Sequence, residues 1–382
     1  MLFLKKFTQK KGFFVFTAYY YMLKQKNKGK NPKKTRPRRF PRAADTDGEN
    51  GMKEKTLLIE ETFLSPYATK SKDSVGRLRE EPPCPMRTDF QRDRDRIIHC
   101  KAFRRLKNKT QVFFSPEGDH YRTRLTHTLT VSQVARSIAR ALSLNEDLTE
   151  AIALGHDLGH TPFGHSGERI LDKLNPAGFK HNEQSGRVVD FLENDGKGLN
   201  LTREVVDGIV NHKSSGKPKT LEGKAVSLAD RIAYINHDID DAIEGGFITF
   251  SELPMNLIKI LGDTSSKRIN TMVLSIFRES EGKNKVEMQP EIAEATGKLR
   301  SFLFERVYNA DTFRREETKA ERMITALYEY YKNKPSALPD FYRDETEICG
   351  ADTALCDYLS GMSDTFVVKE FEKLFIPDKW ER

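Results

Sequence analysis

Residues 155–168 read Gly-His-Asp-Leu-Gly-His-Thr-Pro-Phe-Gly-His-Ser-Gly-Glu. From His156 to Glu168 this places three histidines, one aspartate and one glutamate within 13 residues, interrupted by three glycines and a proline. These side chains ligate divalent cations and move protons near neutral pH. Adjacent His156 and Asp157 can reach one cation only where the backbone is irregular. The glycines and Pro162 supply such a turn after a helix over 145–154. The expectation is a metal gripped by His156 and Asp157 at the end of a buried helix, followed by a loop carrying acid–base groups.

A His-Asp pair by itself is commonplace, so its distant company matters. His127 lies 29 residues upstream of His156, and Asp230 lies 73 residues downstream of Asp157. Both fall in helix-like segments, where an isolated ionisable group would be costly to bury. Two imidazoles and two carboxylates suit a borderline or hard divalent ion: Mn, Fe, Mg, Zn or Ni. No thiolate joins the set, which argues against a closed structural zinc site.

The elements that must position these residues are helical. Over 125–144, Leu129, Val134, Ile138, Ala141 and Leu142 recur at helical spacing, with His127 in the first turn. Asn145 is the expected cap of the next helix. Segment 221–244 has a packing stripe of Ala225, Leu228, Ile232, Ile235, Ile239 and Ile243, and Gly245-Gly246 closes it. Asp230, Tyr234, His237 or Asp238, and Asp241 share one face beside that stripe. Asp241 is expected on a solvated face. Further helices are expected over 89–107, 168–174, 184–193, 203–211, 254–277, 292–308, 312–331 and 355–362. Segment 64–95 reads as a wrapped loop with short helical pieces, 111–114 as a short extended piece and 115–119 as a turn. Strand alternation and internal repeats are missing, so the body reads as all-α.

The order His…His-Asp…Asp resembles the HD-domain metal phosphohydrolases. The phrases around it, Lys109-Thr-Gln-Val-Phe, Arg122-Thr-Arg-Leu-Thr-His-Thr, the 155–165 stretch, His181-Asn-Glu-Gln-Ser and Asp357-Tyr-Leu-Ser-Gly-Met-Ser-Asp364, resemble the dGTPase-like deoxynucleoside triphosphate triphosphohydrolases. The resemblance runs from about residue 64 to the C-terminus. It implies an HD helical core with additional C-terminal helices. It also implies attack at the α-phosphorus, releasing deoxynucleoside and tripolyphosphate. His127, His156, Asp157 and Asp230 would be the ligands of a divalent ion, Mn or Mg foremost, with Fe, Ni or Zn open.

The leaving 5′ oxygen needs a proton, and a histidine supplies one at working pH. His165 is the expected donor, oriented by Glu168 three residues on. His160 and His181 would donate hydrogen bonds to phosphates. A triphosphate carries about four negative charges and needs facing cations. Arg124 and Arg231, each within three residues of an expected ligand, are the candidates. The resemblance also places Gln111 and Asp238 near the sugar 3′ hydroxyl, Tyr234 against the deoxyribose, and Tyr308 near sugar or base. His99 and His212 read as surface or capping groups, and His237 as solvent-facing or helix-capping; His120 is open.

The formal charge of +8 could suggest nucleic acid, but its distribution does not. Residues 1–51 hold 14 Lys or Arg against 3 acidic residues, while the remainder holds 50 against 53. The excess thus belongs to a basic N-terminal extension, expected to be poorly ordered. A signal peptide or a basic membrane-surface or nucleic-acid arm is the rival reading there, and Met52 an ordinary start for the triphosphohydrolase body at 52–382. No apolar run reaches the roughly 20 residues that span a bilayer. Four scattered cysteines fit a reduced, cytoplasmic protein. The family likeness further implies a homo-oligomer, a hexamer foremost, and activation by a second dNTP. Rival functions are an HD-type phosphodiesterase or nucleotidase and a non-catalytic dNTP sensor.

Overall fold

The computed structural model describes residues 51–111, 122–308 and 311–377. Apart from Gly51, the basic extension lies outside the described residues, as do His120 and the extended piece and turn expected beyond Gln111. The described residues form sixteen helices and no strand, with two isolated bridges, Arg77 to Thr202 and Thr110 to Thr123. The fold class is all-α, as expected.

Helix α1 (Gly51–Phe63) precedes the wrapped segment, and α2 (Asp89–His99) and α3 (Lys101–Arg105) follow it. The expected single helix over 89–107 breaks at Cys100, whose extended backbone ends α2 while its sulfur accepts the Phe103 N–H to cap α3. Helix α4 (Arg124–Ala141) starts at Thr123, whose hydroxyl accepts from the Thr126 N–H. Helix α5 (Glu146–Gly155) starts at Asn145, whose side chain accepts from the Asp147 and Leu148 N–H groups. These bonds satisfy amides that the first turn leaves without partners.

Helix α6 (Gly164–Leu174) begins four residues before its expected start. The glycine-rich stretch therefore ends in a left-handed Phe163 (φ 59°), and His165 already stands on a helical turn. Next come α7 (His181–Arg187), which runs into a π-turn over Val188–Leu192, and α8 (Arg203–Val210). Helix α9 (Leu221–Glu244) matches its expected bounds. The helix expected over 254–277 is two, α10 (Met255–Leu261) and α11 (Ser265–Ser280). Gly262 separates them at φ +123°, a backbone angle that L side chains rarely adopt.

Helices α12 (Pro290–Arg306), α13 (Asp311–Asn333), α14 (Asp340–Cys349), α15 (Ala351–Ser360) and α16 (Asp364–Phe375) complete the chain. The expected set lacks α1, α14 and α16. Helix α14 packs against α15, and α16 buries Val367.

Two apolar clusters hold the body. The larger packs α2, α4, α5, α8 and α9 together, with Val131, Ala135, Ile152, Ile209, Ile232 and Ile235 at its centre. The smaller joins α6, α13, α15 and α16 through Leu171, Leu327, Tyr328, Leu355 and Val367. Burying one such aliphatic side chain contributes about 1.5–3 kcal/mol. The 156–163 turn crosses from the first cluster to the second. It thereby carries the chemistry-bearing residues from buried α5 to the first turn of α6. The wrapped segment is pinned by Glu222 of α9, which accepts from the Thr69 and Asn145 N–H groups at 3.0 Å each.

Candidate active site

Three helices deliver the buried part of the site. His127 comes from the first turn of α4, His156 caps α5, Asp157 follows it, and Asp230 comes from the third turn of α9. Ligand-capable atoms of His127, His156 and Asp157 lie within 4.8 Å of one another. Asp230 Oδ1 stands 3.1 Å from His127 Nε2 and 3.9 Å from His156 Nε2. So residues up to 103 positions apart meet in one buried place.

Hydrogen bonding fixes which nitrogen of His156 is free. Its Nδ1 lies 2.6 Å from the Ala153 carbonyl, which can only accept, so Nδ1 carries the proton. Nε2 is left with a lone pair, buried and without a partner. A buried acceptor in that state costs about 1–3 kcal/mol unless something binds it. That is the donor state and orientation a divalent ion requires of a histidine.

Electrostatics agree with a cation site. Burial alone would raise Asp157, but His156 and Arg124 outweigh it and hold its carboxyl well below the usual range. Burial likewise opposes ionisation of Asp230, and the bond from His127 brings it down to about 2.

Arg124 departs from its expected place facing a triphosphate. It is buried, and donates from Nη1 to Asp157 Oδ2 at 2.7 Å and from Nη2 to the Gln111 carbonyl at 3.0 Å. It therefore fixes the orientation of the Asp157 carboxylate. Arg231, next to Asp230, keeps a buried Nε with no hydrogen-bond partner.

The second half of the site lies on α6 and α7. His165 is 61% exposed, and its Nδ1 lies 3.0 Å from Glu168 Oε2. Glu168 Oε1 accepts from the His181 backbone N–H at 2.9 Å and from His181 Nδ1 at 2.8 Å. Burial pushes Glu168 upward, but the bonds from His165 and His181 hold it far below the usual carboxylate range. His181 is thus not free to donate to phosphate, because its Nε2 also faces His212 Nε2 at 3.3 Å. His160 stacks on His181 at 4.5 Å between ring centroids, and both its nitrogens are buried without partners.

Of the expected sugar-side residues, Asp238, Tyr308 and Tyr234 lie together. Asp238 is buried and accepts from the Tyr308 hydroxyl. Burial, with Asp241 and Asp230 nearby, pushes its carboxyl up to about 7. Tyr234 is raised to about 12 by burial. Gln111 is buried beside Arg124, and its side-chain oxygen has no partner.

Three expectations fail. His212 is not a surface group: it is buried, with Nδ1 on the Ile209 carbonyl at 2.7 Å and its ring 5.0 Å from His156. His237 is neither solvent-facing nor at a helix end. It is buried in mid-α9, 5.8 Å from the His127 ring, because α4 covers that face. Asp241 is buried against the Arg122 guanidinium rather than solvated. His99 is exposed, as expected.

Several supporting residues escaped the sequence reading. Lys109 is buried and donates to the His160 carbonyl at 2.5 Å and the Ser360 carbonyl at 2.8 Å. Asp364 accepts from the Thr110 and Phe163 N–H groups at 2.8 and 3.0 Å. Gln184 donates to Asp357 Oδ1 at 2.7 Å. The C-terminal helices thereby hold the turn that presents His160 and His165. Only the phrases containing these residues hinted at them.

Residues 124–235 match the HD domain family model, and residues 286–373 match the phosphohydrolase-associated domain. Curated relatives share the whole body. A deoxyguanosinetriphosphate triphosphohydrolase-like protein of Caldanaerobacter subterraneus subsp. tengcongensis is 59% identical over 329 residues, covering 86% of this chain and 97% of the relative. A relative of the same name from Clostridium perfringens is 50% identical, covering 84% and 96%. One from Geobacter sulfurreducens is 40% identical, covering 86% and 98%. At such identity over nearly full length, the chain belongs to the deoxyguanosinetriphosphate triphosphohydrolase-like family of HD-domain proteins.

Proposed function

We propose that this protein hydrolyses a deoxynucleoside triphosphate, dGTP or several dNTPs, to the deoxynucleoside and tripolyphosphate. One observation carries the reading: buried His127, His156 and Asp157, with partly buried Asp230 against both imidazoles, stand beside an exposed His165 backed by Glu168. The first set would hold a divalent ion, with Mn or Mg foremost and Fe, Ni or Zn also compatible with nitrogen and oxygen donors. The bare Nε2 of His156 fits that role. When bound, such an ion supplies Lewis-acid charge beside the phosphate oxygens.

The protein's own groups do the rest. With Nδ1 committed to Glu168, His165 keeps Nε2 to hand a proton to the departing 5′ oxygen. Glu168 fixes the ring through Oε2 and is itself held by His181 through Oε1. His160 offers an unpartnered nitrogen to a phosphate oxygen, and Arg231 a guanidinium. Asp238, with Tyr308, offers polar atoms to the sugar, and Tyr234 an apolar ring beside them. The reading includes a homo-oligomer, a hexamer foremost, with a dNTP as activator.

The test is anion-exchange separation of products from all four dNTPs, with Mn or Mg, singly and in mixtures. Tripolyphosphate and deoxynucleoside are expected in equal amounts. Orthophosphate or cut single strands would favour a phosphodiesterase or nucleotidase instead. Binding without any product would favour a dNTP sensor.

A further inference from the structure

The proton-delivering couple sets an electrostatic problem for the proposed substrate. Glu168 is held ionised by His165 and His181, and it sits one hydrogen bond behind the ring that meets the departing oxygen. A triphosphate brings about four negative charges to the same place. A fixed carboxylate so near repels them unless a cation lies beside the two. His165 offsets that charge only until it gives up its proton. Arg124, one of the expected phosphate-facing cations, is spent on Asp157 and the Gln111 carbonyl.

Lys213 meets this need. It follows buried His212, whose Nδ1 is tied to the Ile209 carbonyl, and its own carbonyl accepts the Gly216 N–H at 2.8 Å. Its backbone is thus fixed on both sides, while its side chain is loosely held. Nζ lies 3.5 Å from Glu168 Oε1, outside the roughly 2.7–3.2 Å of a well-made N–H···O bond. That oxygen already takes two closer bonds, from the His181 N–H at 2.9 Å and from His181 Nδ1 at 2.8 Å. Among the described residues Glu168 is the one acceptor the ammonium reaches, and the side chain is 33% exposed. An ammonium carries three donors on a flexible stem, so it has bonds left to offer.

We infer that Lys213 is a phosphate-binding residue, which screens Glu168 from the incoming triphosphate and donates to one of its oxygens. The inference rests on the triphosphate reading of the proposed function. Glu168 keeps the two tasks apart: Oε2 serves His165, and Oε1 serves Lys213. Lys213 can turn from Oε1 toward a phosphate without disturbing the His165 bond, because His181 keeps Oε1 satisfied.

The experiment separates charge from support. Full-length, Mn-loaded wild type, K213M, K213Q and K213R are compared for kcat and KM on the dNTP that the wild type turns over fastest. Inhibition by inorganic tripolyphosphate and by the deoxynucleoside product is measured alongside. K213M and K213Q should raise KM and the tripolyphosphate inhibition constant by about 10- to 100-fold, the worth of one hydrogen bond to a charged group. Inhibition by the deoxynucleoside should not change, and K213R should restore most of the loss. Unchanged tripolyphosphate inhibition in both neutral variants overturns the inference; a lower kcat with that result makes Lys213 a support for Glu168 alone. Circular dichroism reports the fold, and K213Q, which keeps most of the stem, carries the test if K213M does not fold. A wild type that releases no tripolyphosphate overturns the proposed function and this inference together.

Discussion

His165 Nδ1 stands 3.0 Å from Glu168 Oε2, one turn apart on the same helix. The ring is exposed while the carboxylate is largely covered, so the acid is presented to solvent and its partner is held rigid. H165A should lower kcat for tripolyphosphate release by about 10²–10⁴, the usual contribution of a positioned proton donor. E168Q keeps the shape but not the charge, and should lower kcat with a much smaller change in KM. Steady-state kinetics by anion exchange check both. An H165A enzyme within threefold of wild type would remove His165 from the chemistry.

Asp230 reaches His127 and His156 from a different helix, so it closes the buried set. D230N should retain helical circular dichroism, lose most bound Mn after desalting and lose activity with it. Full Mn retention would show that Asp230 is not a ligand.

Arg124 joins Asp157 to the Gln111 carbonyl. R124A leaves a buried carboxylate without its partner, an effect of about 3–5 kcal/mol on stability. Loss of such a supporting contact also weakens metal affinity by about 10–100-fold. R124K should not rescue, because an ammonium cannot fork to two acceptors as a guanidinium does. Melting temperature and Mn titration measure the two effects separately.

Asp238 gives a pH prediction of definite sign. Burial raises its carboxyl from 3.8 to about 7. Between those values the native state holds the proton and the unfolded chain does not. Its contribution to stability is therefore complete below about pH 4 and is lost as pH rises through about 7. D238N cannot titrate. Over this window its melting temperature should fall less with pH, or rise more, than that of the wild type. Parallel curves would exclude a raised Asp238.

Gly159 sits against α7 so closely that a Cβ there would lie 2.1 Å from the Ser185 backbone nitrogen and 2.3 Å from the Gln184 carbonyl carbon. G159A must push α7 away from the turn, and with it His181. A lower melting temperature and a loss of kcat are expected together. G297A is the contrast: it lies in α12 with nothing within 4 Å of the added atom. It should be neutral or stabilise by about 0.5–1 kcal/mol.

Residue types, order and periodicity marked out much of this protein before any coordinates. The His…His-Asp…Asp order and the phrases around it pointed to the family. Helical spacing located α4, α5 and α9, because an amphipathic stripe is a local property of the chain. The exposed-looking histidines were decided only in three dimensions. His212 lies just past a short helix, and nothing local says that His181, 31 residues away, will face it. His237 shares the polar face of α9, and only the covering by α4 buries it. Gln184 and Asp357 each look like ordinary polar residues until docking of α15 brings them together across 173 residues. Periodicity says which face of a helix is apolar, but not which distant element comes to lie on the other one.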